Sequence, residues 1–163
     1  MNDVYIPAGA LVLVADGRRA RFLRNRGTPR HVELITKREL EQENPPTHEQ
    51  GTDRPGRRAG PDGVSRSAVE QTDWHRLAEE RFASEIAAML YGMAHAHAFN
   101  ELIVIAPPKA LGDLRAAFHP EVTTRVVAEF AKDLTALPVP ELAKRLSAGE
   151  FADWNASKTK PAE

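Results

Sequence analysis

The alternation of apolar and polar positions predicts that the chain opens on strands. Residues 10–15, ALVLVA, form a continuous apolar run, the pattern of a strand buried on both faces. Asp16-Gly17 follows it. Such a pair between two strand-like runs predicts a hairpin with a type I′ turn, which needs positive φ at both central residues. RRARFLRN then alternates, with Ala20, Phe22 and Arg24 on one side and Arg19, Arg21 and Leu23 on the other. That is a half-exposed second strand, and its outward apolar positions leave room for a homodimer. After a turn at Gly27-Thr28-Pro29, HVELITKREL sets Val32, Leu34 and Thr36 against Glu33, Ile35 and Lys37, a third strand.

The period then changes. Residues 41–72 hold four Pro, four Gly and few large apolar side chains, which predicts a long mobile loop without structure of its own. Asp73 is a plausible N-cap for a long helix in which Trp74, Leu77, Phe82, Ile86, Met89, Leu90 and Met93 fall at helical spacing. Glu79, Glu80 and Glu85 mark its wet side, and His95 and His97 suit the negative end of the helix dipole. ELIVIA at 101–106 predicts a fourth, buried strand. Pro107-Pro108 stops it and starts a helix running to about Phe118. VTTRVVAEF at 122–130 predicts a fifth strand, and a last helix follows Pro138-Val139-Pro140 with Leu142, Ala143 and Leu146 inward. The order β-β-β-α-β-α-β-α predicts an α/β domain: a mixed five-stranded sheet with helices on both faces, ribonuclease-H-like in strand order. The domain spans residues 1–147, and 148–163 are expected to form a disordered tail.

Composition narrows the function classes. The 163 residues suit one domain. With no cysteine there is no disulfide scaffold, thiol nucleophile or Cys-ligated metal. No apolar run approaches the length of a membrane span, and the N-terminus carries Asp3 and no Lys or Arg before its apolar stretch, unlike a signal peptide. A cytoplasmic location is expected.

Charge adds a direction. Net charge is −1, yet residues 16–66 hold 12 Lys/Arg against 8 Asp/Glu. Residues 18–30 carry Arg18, Arg19, Arg21, Arg24, Arg26 and Arg30 and no acid. Clustered arginine suits a phosphate backbone, because the planar guanidinium binds phosphate bidentately. The loop motif Asp53-Arg54-Pro55-Gly56-Arg57-Arg58 is the leading binding candidate, with Arg66, Arg19 and Arg21 beside it. Its plainer reading is a solvated loop.

The other candidates have structural explanations close at hand. Asp16 with Glu79, Glu80 or Glu85 could begin a two-metal nuclease site, but the fourth strand ends in Ala106-Pro107-Pro108 and supplies no carboxylate. Asp16 and Gly17 are explained by the turn. His95 and His97, two apart, point about 200° apart on a helix and do not share a metal there. Gly112 inside a helix suggests close packing against the sheet. Lys132-Asp133-Leu134-Thr135 reads as a strand-to-helix turn in which Asp133 and Thr135 bond local N–H groups. No nucleotide-binding glycine loop or nucleophile elbow is present. No catalytic residue, metal or cofactor is expected.

The strings VADGRRARFL, TDRPGRR, RFASEIAAML, FNELIVIAPPKALGDLR and AEFAKDLTALPVPEL together resemble the bacterial host attachment protein family, over roughly residues 5–147. That family is grouped with the middle domain of eukaryotic and archaeal peptide-chain release factor and of pelota. The resemblance implies a non-enzymatic binding module that contacts ribosome or structured RNA. The family name implies the alternative, a factor supporting attachment to host cells through protein partners or regulation. In the release factor the loop before the long helix carries Gly-Gly-Gln. The corresponding residues 41–72 have Gly51, Gly56, Gly60 and Gly63 without a Gly-Gly pair, and Gln50 and Gln71 are not preceded by one. The resemblance therefore does not imply peptide release.

Overall fold

The computed structural model describes residues 6–42 and 61–148, the side chains of 61–72 excepted. Its elements are β1 (Leu11–Ala15), β2 (Arg19–Asn25), β3 (Leu34–Glu41), α1 (Pro61–His95), β4 (Leu102–Ile105), α2 (Pro108–Ala117), α3 (Pro120–Thr123), β5 (Val126–Phe130) and α4 (Val139–Ser147). The strands form one five-stranded sheet in the order β3-β2-β1-β4-β5. The first three strands form an antiparallel meander, while β1, β4 and β5 run parallel.

The meaning of the apolar runs is now plain. β1 and β4 are central and buried on both faces, so every residue in each is apolar. Leu11, Leu13, Ala15, Ala20 and Phe22 face Phe82, Ile86 and Leu90 of α1 and Leu111 and Leu114 of α2. Val12, Val14 and Leu23 face the other way, onto Ile6, Leu134, and Leu142 and Leu146 of α4. Each sheet face thus has its own core, and among the described residues α4 is the helix that covers the second.

Several expectations need correction. The apolar residues of β2 are not outward, because Ala20, Phe22 and Leu23 are all buried between β1 and β3. They offer no surface to a second copy. The long helix starts at Pro61, not Asp73, so 61–72 is helix and not loop. Residues 43–60 and the tail 149–163 lie outside the described residues. The buried stripe of α1 begins well after its first residue among the side chains described: residues 73–77 are all exposed, and the first buried one is Ala78. A helix held by packing farther along propagates outward at small cost, since nucleation is already met. Trp74 and Leu77, expected in the core, are therefore exposed.

The fifth strand is shorter than its β-branched residues suggest. Pro120 opens the single turn α3, and His119 Nδ1 caps it by accepting from the Glu121 N–H at 3.0 Å. Val122 is buried as part of that turn, and Arg125 ties it down by donating to the carbonyls of Glu121 and Phe99. Local capping and burial outweigh β propensity. On β3, a register shift between Phe22 and Leu23 leaves Lys37 without a strand partner. Ile35 and Leu40 consequently share a face despite their odd spacing.

Gly112, finally, is exposed, and a Cβ there would meet nothing within 4 Å. Close packing does not explain it. Replacing Gly112 by alanine should raise stability by about 1 kcal/mol through helix propensity alone. Urea denaturation would read this as a midpoint shift at constant slope; a loss of stability would mean that the position is in fact crowded.

Candidate functional site

The chain leaves β1 toward β2 and leaves β4 toward β5, so the carboxyl ends of β1 and β4 mark the switch point of the sheet. Ligands of open α/β sheets seat at such places. Asp16 stands there. Its Oδ1 accepts from the backbone N–H groups of Arg18 and Arg19 at 2.7 and 2.8 Å, closing the hairpin as an Asx turn. Gly17 is not among the residues with positive φ, so the turn is not type I′; the aspartate side chain takes the place of that backbone geometry. The other oxygen, Oδ2, accepts from the Thr135 hydroxyl at 3.0 Å. The same hydroxyl lies 2.9 Å from Asp133 Oδ1, so its proton is shared between two carboxylates. The Lys132–Thr135 turn is local, as expected for Asp133, which accepts from the Thr135 N–H; Thr135 instead reaches across to β1.

Arg21 braces the same segment. Its guanidinium donates to the carbonyls of Thr135 and Leu137 at 3.0 and 2.7 Å. Beside it a cleft of about 550 Å³ opens between β2, β3 and residues 135–138. Arg19 and Arg21 line it, and Glu41 and Glu39 sit opposite them in the strand register. Opposite-charge pairs of this kind stabilise neighbouring strands and cancel much of the basic field. Arg24, on the other sheet face, donates to the carbonyls of Gly9 and Ala98. The arginine run from 18 to 30 is therefore divided among turn, cleft and internal braces, and does not form one basic face.

On the α1 side, Glu79 lies so close to the hairpin that a Cβ on Gly17 would come within 2.9 Å of its side chain. Lys109, in the first turn of α2, bridges Glu79 at 3.3 Å and Asp113 at 3.1 Å. The hydrogen bond to Asp113 is the largest cause that holds its ammonium above the ordinary lysine range. With its pKa raised, the lysine keeps its charge at neutral pH and gives up its side of the bridge only in strong base. Asp16 has both oxygens engaged by protein donors, and Glu79 is paired with Lys109. Among the described residues no three His, Asp or Glu converge as metal ligands.

The histidines serve the helix end. α1 closes with the Ala98 N–H bonded to the Met93 carbonyl and the His97 N–H to the Ala94 carbonyl, with His97 in the left-handed region at φ 59°. His95 faces Glu121 at 3.3 Å.

Of the binding residues named from sequence, Arg19 and Arg21 share the cleft. Arg66 lies within the backbone of α1, its side chain outside the description, and Asp53, Arg54, Arg57 and Arg58 lie outside the described residues. The Asp16–Thr135 and Arg21–carbonyl contacts join segments more than a hundred residues apart, and no local pattern announces them. Among the described residues no helix is long and apolar enough to cross a membrane.

No curated protein matches the chain by sequence. Among solved structures, the chain is similar to the crystal structure of an archaeal translation termination factor, aRF1, at 12% identity and a TM-score of 0.43. The match covers 92% of this chain and 36% of that one. The profile of the bacterial archaeo-eukaryotic release factor family 12 matches residues 9–146, nearly the whole described domain. The chain belongs to that family.

Proposed function

We propose that this chain is a translation-related binding module that contacts the ribosome or structured RNA, without catalysing a reaction of its own. The observation that carries this reading is its membership, over residues 9–146, of a release-factor-like family. The distribution of arginine supports a specific contact. On the sheet, Arg21 and Arg24 are spent on backbone carbonyls, and Arg19 lies opposite Glu41. The arginines at 54, 57 and 58 fall in the segment between the end of β3 and the start of α1. Arg54, Arg57 and Arg58 provide most of the affinity, with Asp53, Arg66 and Arg19 adding to it. The protein acts in the cytoplasm, where ribosomes are. No feature of the described residues favours the attachment reading.

The test is sedimentation of the full chain with ribosomes through sucrose gradients at low and high salt. Salt-sensitive co-migration is expected. The triple R54A/R57A/R58A variant should bind more weakly and lower the log–log salt slope by about 2–3, as three phosphate contacts are lost. Wild-type protein that stays at the top of the gradient at both salts, or a triple variant that binds like wild type, would overturn the assignment.

A further inference from the structure

Trp74 and Leu77 are the large apolar side chains that the described fold leaves exposed, at 36% and 46%. At about 100° per residue, Trp74, Leu77, Arg81, Glu85, Ala88 and Gly92 lie along one stripe of α1. All six are exposed, on the side turned away from Phe82, Ile86 and Leu90. The stripe is graded. Its N-terminal end carries large apolar groups, its middle carries charge, and its C-terminal end is small. A Cβ on Gly92 would meet nothing within 4 Å, so no neighbour among the described residues requires glycine there, although glycine weakens a helix interior. Arg81 and Glu85 form no ion pair with another described residue, whereas Arg76 is paired with Asp73 and Glu80.

Turned end for end, this grading is complementary to itself. We propose that α1 packs antiparallel against α1 of a second copy of this chain, about a twofold axis at the level of Ala83. Trp74 then lies over the partner's Gly92, Leu77 over the partner's Ala88, and Arg81 opposite the partner's Glu85. Each contact occurs twice, as a twofold interface demands. Large groups enter the space left by small ones, the basis of close helix packing. The charges select the direction: a parallel pair would set Arg81 against Arg81 and Glu85 against Glu85. Pairing through the sheet edge at β3 is opposed by Lys37, Arg38, Glu39 and Glu41 along that exposed strand. The inference is independent of the ribosome reading.

Sedimentation equilibrium of the full chain over a range of concentrations tests it. A reversible monomer–dimer equilibrium is expected. R81E and E85R should each raise the dimer Kd about tenfold, since each sets like charges opposite one another at two places. The R81E/E85R double exchanges the charges and should return the Kd close to the wild-type value. Gly92→Leu fills the space under Trp74 and should give a folded monomer, with helical circular dichroism retained. A wild-type chain that stays monomeric, a dimer indifferent to R81E, or a double variant no tighter than the singles would each overturn the proposal. A monomer whose Trp74 fluorescence shifts only with ribosomes or lipid vesicles would overturn it too, by giving the stripe to that partner.

Discussion

Replacing Asn25 by alanine is expected to remove about 3 kcal/mol of stability, the largest effect of any single substitution considered. Asn25 ends β2 with no exposed surface. Its amide nitrogen donates to the carbonyls of Ile6, Pro7 and Thr28 at 3.0, 3.3 and 3.4 Å. Its amide oxygen accepts from the N–H groups of Gly27 and Glu33 at 2.9 and 3.0 Å. One side chain thus ties the segment before β1 to the connection between β2 and β3. Gly27 makes the knot possible, since a Cβ there would lie 2.2 Å from the His31 carbonyl oxygen. In the alanine variant the Pro7 and Thr28 carbonyls keep backbone donors, from Ala10 and His31, but the buried Ile6 carbonyl loses its side-chain partner. An orphaned buried group costs about 1–3 kcal/mol, and the vacated space adds to it. The isosteric Asn25→Asp variant separates these effects. It leaves no cavity, yet an ionised carboxylate would face three carbonyl oxygens with no proton to give them. Its loss should be large at pH 7 and smaller at pH 5, because the protonated form can donate and is favoured by the fold, so stability falls as pH rises. Urea midpoints at the two pH values provide the check. An alanine variant within about 0.5 kcal/mol of wild type, the scatter of neutral surface changes, would show the knot to be dispensable.

Arg21→Met should lower stability by about 2 kcal/mol while keeping the aliphatic stem of the side chain. It removes two charge-assisted hydrogen bonds, to the carbonyls of Thr135 and Leu137, at about 1.5–3 kcal/mol for such bonds with some offset from solvent at this half-buried site. The displaced 135–138 segment would also loosen Thr135 from Asp16. Arg19→Met, one pleat away on the exposed end of the same face, should change stability by less than about 0.5 kcal/mol. The contrast distinguishes a brace from a ligand contact. A stable Arg21→Met protein that binds ribosomes poorly would make Arg21 part of the binding surface; a destabilised one that binds normally below its melting range makes it a strut of the cleft.

The limits of legibility follow from the same residues. Alternation alone sets Phe22 and Leu23 on opposite faces, and the sheet puts them in separate cores. Arg21 and Arg24 look alike in a charge count, yet each is turned onto carbonyls supplied by distant segments. Trp74 has the spacing of a core residue, but periodicity reports which residues share a helix face and not whether the sheet extends far enough to cover it. Gly112 looks like a packing device and faces open space.

By itself the sequence determined what depends on local pattern: the three-strand meander, the double-sided burial of β1 and β4, the proline-initiated helices and the α/β class. Side-chain periodicity and backbone restrictions act over a few residues, so a single chain displays them directly. Tertiary structure decided what depends on where distant segments meet. It made Asp16 a link to Thr135, spent the sheet arginines on carbonyls, folded 120–123 into a helical turn, and carried α1 past its core. Those outcomes are set by competition among burial, capping and hydrogen-bond satisfaction at contacts that no stretch of sequence contains.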